Sequence, residues 1–470
     1  MKDRSKKFLW PGILLILTIG LIHTMDAKDS FIVAAAENLP AFPSAEGFGR
    51  FSVGGRGGVV YKVTNLSDSG AGSLRACAEA SGPRVCVFEV SGTISLNSML
   101  RIKNPYLTIA GQTAPSPGIF IRYNDIGIRA HDVIIRHISV GPGDYHQDTG
   151  ETLFTDADGI AVHGDSYNVM IDHVSIFFGI DQVGSIYLNR EGAPHDVTIS
   201  NSIAAYPLDC SMHYEGGCHA KGILVGPGSE RISLIKNIIA HSQDRNPKFT
   251  GTTHGEAINN IVYNWGRDSM EFGQGKPRFG NSRIGGQYKN LPVHGAAVGN
   301  IFISGADTKL NQPISVDQIT TATSTLYLAD NRIDGIAPAD QWSRAMVIYR
   351  KGATITKSAS WEWGSGATLL PSSQVESYCL AHAGSRPKDR HPEMEQRIAN
   401  NITSKTGQII DCVESSTCSN SFGGWPVYAE NHRKLAVPAN DKIIAAKSGY
   451  TVLEEWLQSY ANEVEGMGRR

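Results

Sequence analysis

The chain has 470 residues, 50 of them glycine and 9 methionine, with 41% hydrophobic residues, 19% charged residues and a formal net charge of -2. That length would allow two or three ordinary domains, but repeat solenoids and large β folds break the relation, and the composition is that of a turn-rich β protein poor in long amphipathic helix. A near-neutral charge excludes nucleic-acid binding driven by overall positive charge, so any anion site must be a local patch.

Lys2, Arg4, Lys6 and Lys7 precede an apolar run over residues 8–22, and small residues follow at Ala27 and at Ala34, Ala35 and Ala36. This is the layout of a secretory signal peptide over residues 1–36, with an uncleaved anchor helix as the alternative. Either reading predicts an exported body, secreted or periplasmic, and cleavage leaves no membrane attachment. Removing 1–36 moves the net charge from -2 to -4.

Seven cysteines suit an oxidising compartment. Cys77 and Cys86 are nine apart, Cys210 and Cys218 eight apart, and Cys379, Cys412 and Cys418 cluster late. Short-loop disulfides with one thiol left over are expected, the late pairing stays open, and no cysteine spacing reads as a zinc site.

Residues 37–84 read as an N-terminal cap, with dense glycines between Gly47 and Gly58 and then a strand, a polar turn and a helical start. From residue 85 to about 340 short apolar or alternating runs are each closed by Gly, Asn, Asp or Pro. The pairs Ile135/His137, Ile171/His173, Ile199/Asn201, Ile235/Asn237, Ile258/Asn260, Val298/Asn300 and Ala329/Asn331 repeat one pattern at intervals of 36, 28, 36, 23, 40 and 31 residues. A regular core with irregular spacing implies strands of fixed length joined by variable loops, as in a parallel solenoid. The five asparagines are expected at one register, where Asn tolerates left-handed backbone and stacks as a ladder. A doubly wound α/β sheet would need helices between strands, and no clear amphipathic helix lies between residues 130 and 335, so the body is predicted to be an all-β parallel β-helix.

Residues 341–470 change character and are expected to wrap or cap the stack. Residues 393–406 have helical composition, and residues 451–460 form an amphipathic helix with Leu453, Trp456, Leu457 and Tyr460 on one face.

Three chemical clusters fall on successive coils. Asp156 and Asp158 are two apart and point to one spot if the segment is extended, and Asp181 follows one coil later. Carboxylates from adjacent coils suit Ca2+, although taken alone the Asp156/Asp158 pair reads more readily as a solvated turn with Asx hydrogen bonds. Asp172 sits in the ladder segment, where a hydrogen-bonding structural role fits better than a ligand role. Lys221 opens an apolar strand, and Arg245 and Lys248 flank Pro247 in a basic turn over residues 241–249, so a parallel stack brings three cations beside the acids. Taken singly, each is an ordinary surface cation.

AFPSAEGFGR (41–50), GGRGG (54–58), VTNL (63–66), GSLR (72–75), VFEVSGTI (87–94), LTIAGQTA (107–114), MIDH (170–173) and RNPKF (245–249), with GGWP (423–426) and the C-terminal helix, resemble secreted pectate lyases of polysaccharide lyase family 1. The main resemblance covers roughly residues 41–305. It implies a right-handed parallel β-helix and calcium-dependent β-elimination of polygalacturonate by a secreted monomer. It also implies that Asp156, Asp158 and Asp181 ligate calcium, that Lys221 binds the substrate carboxylate, and that Arg245 is the catalytic base. An arginine base must act as a neutral guanidine, for which calcium and Lys248 nearby would be needed.

The sequence departs from the family at Ser185, where an aspartate is common, at Gln182, where a glutamate is common, and at Thr250, where a second arginine is usual. Fewer carboxylates imply weaker calcium binding, and Lys248 is expected to take part of the missing arginine's role toward uronate carboxylates. The alternatives are a noncatalytic glycan-binding β-helix, or a pectin lyase or polygalacturonase-like hydrolase on the same fold.

Overall fold

The computed structural model describes residues 39–468 except 145–155, 214, 275–287, 289, 318–322, 417 and 441–448. The leader expected at 1–36 lies outside the described residues. Short β-branched runs broken by left-handed turns build three parallel sheets of 11, 9 and 9 strands, and consecutive strands such as Val133–Arg136, Ser139–Gly141 and Ile160–His163 enter three different sheets. The chain is therefore a parallel β-helix. Coils run from Val59–Val63, paired with Arg84–Phe88, to Thr356–Lys357, and among the described residues no helix falls between residues 130 and 335.

Register stacking fills the interior with matched side chains. Val162, Ile186, Val225, Phe249, Phe272 and Val316 are successive partners in one nine-stranded sheet, and all belong to the buried core. The Phe249 and Phe272 rings stack with centroids 5.3 Å apart.

The corner between two sheets carries a polar column. Asn237 Nδ2 donates to Asn260 Oδ1 at 3.1 Å, Asn260 Nδ2 to Asn300 Oδ1 at 2.9 Å, and Asn300 Nδ2 to Asn331 Oδ1 at 3.0 Å, every member buried. Asn201 does not join it. Ser200 pairs with Ile235, which sets Asn201 beside Lys236, and Ser202 takes the ladder position with its N–H donating to Asn237 Oδ1 at 2.9 Å. The left-handed corner is likewise one residue earlier than the ladder: φ is +57° at Lys236, +54° at Asn259, +65° at Gly299 and +52° at Asp330. Stacking and positive φ, expected of the same asparagine, are thus divided between neighbours.

Disulfides join Cys77 to Cys86, Cys210 to Cys218 and Cys412 to Cys418, leaving Cys379 free and buried. The late segments supply the helices Ser372–His382, Glu395–Ser404 and Val452–Val464. Thr451 caps the last with a capping box to Glu454, and Leu453, Leu457 and Tyr460 cover Val85, Val87 and Ala110 with Trp456 packed at the edge. Among the described residues no helix is long and apolar enough to cross a membrane.

Just beyond this helix, Glu465 Oε1 accepts from Arg136 Nη2 at 3.0 Å and lies 3.3 Å from His137 Nε2. Arg136 Nε in turn donates to Asp172 Oδ2 at 3.0 Å, and Asp172 also accepts from His173, Ser200 and Asn201. Asp172 is therefore a structural hub. Burial opposes ionisation of Glu465, but His173, His137 and Arg136 outweigh it and hold the carboxyl down at about 2.

Asn260→Ala strands both the backbone N–H of Asn237 and the carbonyl of Leu234. The expected loss is about 3 kcal/mol in urea unfolding; a loss under about 0.5 kcal/mol would contradict a stabilising ladder. Glu465 has a folded pKa below its ordinary value of 4.5, so its contribution is present above that value and is lost as pH falls toward 2. The stability gap between the parent and Glu465→Gln, at most about 3 kcal/mol, should shrink from about pH 5 to about pH 2. A gap independent of pH would mean that its charge contributes nothing.

Candidate active site on a nine-stranded sheet

The strands Ile126–Ile128, Ile160–His163, Gln182–Tyr187, Lys221–Val225, Lys248–Thr250 and Met270–Gly273 are neighbours in one sheet. Their outer face carries Ala161, Ser185, Leu224, Lys248 and Glu271 as successive register partners. Asp125, Asp158 and Asp181 sit just before three of these strands, and register delivers them to one edge.

The acidic end is crowded. Asp158 is 7% exposed, accepts from Ser185 Oγ, and accepts from the Gln182 N–H at 3.3 Å. Burial, and then Asp181, push its carboxyl well above the usual range. Asp125, one coil earlier, is pushed up to about 7 by burial with a further contribution from Asp156, and its Oδ1 has no hydrogen-bond partner among the described residues. Asp156 is exposed, so it and Asp158 differ in burial although both line the same cleft with Asp125 and Asp181.

Asp181 is the pivot between acids and bases. It lies 2.9 Å from His219 Nε2 and 3.6 Å from Arg245 Nη1, and accepts from Gln182 Nε2 at 3.2 Å. Burial would raise its pKa, but His219, Arg245 and Lys221 together hold it at about 2.

Lys221 opens its strand, and its backbone pairs with that of Asp244 as an isolated parallel β-bridge. It is 8% exposed, its Nζ meets His219 Nε2, and it is absent from the walls of both neighbouring clefts. Burial, and then the nearby Arg245, push its ammonium down to about 8.

Arg245 occupies a left-handed turn with φ of +62°. Its N–H donates to Glu271 Oε1 at 3.0 Å and its carbonyl accepts from the Ile223 N–H at 2.6 Å. Only glycine at 222 permits this approach, since a Cβ there would lie 2.4 Å from the Arg245 carbonyl oxygen. Its Nη1 donates to Gln182 Oε1, so the glutamine at that departure from the family ties Asp181 to Arg245. Arg245 lines both the acidic cleft and the adjoining one formed with Tyr187, Lys248 and Glu271. Lys248 does not lend its charge to Arg245 alone. Its Nζ is 2.6 Å from Glu271 Oε2, and burial and then Glu271 leave the ammonium above its usual value because the pair outweighs burial.

Asp125, Glu271, His213 and His219 escape motif reading. Asp125 immediately precedes Ile126, the register partner of Ile160, and so stands one residue out of step with Asp158 on the next coil, a proximity visible only with the strands paired. Glu271 faces the outer side of its strand but is buried like its neighbours Met270 and Phe272, and the histidines lie within or beside the Cys210–Cys218 loop.

No family model matches the chain. Probable pectate lyase C of Aspergillus oryzae is 31% identical over 460 residues, covering 95% of this chain and 97% of that protein. Its counterpart in Aspergillus fumigatus is 32% identical over 442 residues, covering 90% and 94%. Among solved structures, a pectate lyase bound to a hexasaccharide superposes with a TM-score of 0.51 at 14% identity, covering 74% of this chain and 98% of that one. The cedar pollen allergen jun a 1 gives a TM-score of 0.51 at 15% identity, covering 72% and 92%. Those structures share the fold, while the fungal relatives match along nearly their whole length: the chain belongs to the pectate lyase family and is a polysaccharide lyase.

Proposed function

We propose that this lyase cleaves polygalacturonate by calcium-assisted β-elimination. The observation that carries the reading is Arg245 lying 3.6 Å from the pivotal Asp181 at the edge of a carboxylate-lined cleft. The acidic end fits a hard cation. It offers the carboxylates Asp156, Asp158 and Asp181, together with Asp125, whose buried Oδ1 has no hydrogen-bond partner among the described residues, and these are the oxygen ligands Ca2+ takes. When bound, Ca2+ would neutralise a uronate carboxylate and acidify the proton alpha to it.

The protein's own groups do the rest. Arg245, acting as the neutral guanidine, takes the alpha proton on a guanidine nitrogen. The released electron pair becomes a carbon–carbon double bond to the neighbouring ring carbon, and the glycosidic C–O bond on that carbon breaks, its oxygen gaining a proton from water. Lys221 and Lys248 receive uronate carboxylates, and Lys221 places positive charge where the enolate-like charge develops. Lys221 is buried beneath His219, so binding through it calls for His219 to turn aside. In the same reading the body is an exported monomer, with residues 1–36 as signal peptide, 37–84 as cap, 85–340 as catalytic body and 341–470 as wrapping region.

Absorbance of the unsaturated product should appear with polygalacturonate only when calcium is supplied, vanish with chelator, and be weaker on methylated pectin. Equal rates in chelator would remove calcium from the reaction, and a preference for methylated pectin would assign a pectin lyase. Arg245→Ala should lower turnover by about a hundred- to ten-thousand-fold with the circular dichroism unchanged. Near-parental turnover would eliminate Arg245 as the base.

A further inference from the structure

Gln182 touches both the acidic and the basic half of the site. It opens the strand Gln182–Tyr187 and is 4% exposed. Its backbone N–H donates to Asp158 Oδ1 at 3.3 Å, its Nε2 donates to Asp181 Oδ2 at 3.2 Å, and its Oε1 accepts from Arg245 Nη1. A tight turn sets it there: a Cβ at Gly179 would lie 2.1 Å from the Gln182 carbonyl oxygen.

The partners decide which way the amide points. A carboxylate accepts and a guanidine nitrogen bearing hydrogens donates, so the amide NH2 faces Asp181 and the amide oxygen faces Arg245. The backbone N–H of Arg245 is held by Glu271 Oε1 at 3.0 Å, so the arginine is gripped both at its root and at Nη1. Asp181 Oδ1, 3.6 Å from Nη1, is a second acceptor beside the same nitrogen. A nitrogen that donates to acceptors keeps its hydrogens.

Elimination through Arg245 needs one guanidine nitrogen with a free lone pair, and Nη1 is not that nitrogen. We propose that Gln182 is a positioning residue for the elimination: its amide oxygen keeps Nη1 a donor and thereby assigns proton uptake to Nη2 or Nε. The proton leaving the alpha carbon bonds to that nitrogen, the C–H electron pair enters the new double bond as the glycosidic C–O bond breaks, and the guanidinium later returns the proton to water. Gln182 Oε1 accepts from Nη1 before and after the transfer, so the guanidine plane need not turn during the reaction. The inference rests on Arg245 being the base.

The test measures kcat and KM on polygalacturonate at saturating calcium, and calcium affinity by calorimetry without uronate, on the full chain. Gln182→Met fills the same space without an acceptor. Its kcat should fall by about 10- to 100-fold, the effect of losing one hydrogen bond to a group that gains charge, with KM changed by less than about threefold. Gln182→Glu returns an oxygen to that place and should recover most of the loss. Gln182→Asn draws the amide back by one methylene and should be as slow as Gln182→Met, which keeps the test decisive if the methionine variant does not fold. Parental kcat in Gln182→Met and Gln182→Asn, a loss confined to KM or calcium affinity, or a glutamate variant as slow as the methionine one overturns the inference. Near-parental turnover in Arg245→Ala removes the base itself, whereas an inactive Arg245→Ala beside a fully active Gln182→Met removes only the role of Gln182.

Discussion

Neighbouring coils of a parallel stack lie about 4.8 Å apart, and that spacing brings together groups separated by a whole coil of sequence. Two carboxylates at such a distance repel by about 3 kcal/mol at an effective dielectric constant of 20. Asp125, Asp158 and Asp181 occupy successive coils and cannot all carry charge without help. Ser185 and the Gln182 N–H supply hydrogen bonds to Asp158, and His219 and Arg245 supply positive charge to Asp181. For Asp125 a backbone hydrogen bond and the charges of Arg101 and Arg129 do not outweigh burial and Asp156, and its carboxyl is raised. The demand for a cation at the acidic end is a consequence of the register.

The same spacing orders the remainder of the sheet. Beyond Asp181 come Lys221 and Arg245, where burial and then repulsion from Arg245 lower Lys221, and beyond them Lys248 with Glu271 on the next coil as its counterion. Charge therefore alternates along the stack in blocks. Arg245 also takes the left-handed turn conformation used at sheet corners elsewhere in the chain, a conformation costing a non-glycine residue roughly 1–2 kcal/mol. Its backbone hydrogen bonds to Glu271 and Ile223, with Gly222 beneath, offset that cost and fix where the guanidinium begins.

The strands and the acid-then-base order were legible in the sequence because alternation and turn residues are local properties. Register was not. Aligning Ile199/Asn201 with Ile235/Asn237 looks natural, yet Ser200 pairs with Ile235, and the one-residue slip moves Asn201 out of the ladder. A motif search also finds residues by neighbours in sequence, and Asp125, Glu271 and the two histidines act through neighbours in space. The family resemblance pointed to Ser185 as a missing ligand. In the structure its hydroxyl instead holds Asp158, so the position is employed differently. Lys221 shows the opposite limit: its place on the strand was readable, but its burial under His219 depends on a loop whose path no local pattern specifies.

The cluster joining Arg136, Asp172, His173 and Glu465 spans 329 residues between Arg136 and Glu465. During synthesis the early coils exist well before Glu465 does. Until it arrives, Arg136 and His173 share Asp172 as their only carboxylate among the described residues of this cluster, and the final helix has not yet covered Val85, Val87 and Ala110. A nascent stack of coils is thus left with an exposed apolar strip and an unbalanced charge. Docking of the helix Val452–Val464 with Glu465 removes both at once, so apolar cover and charge balance arrive in a single step.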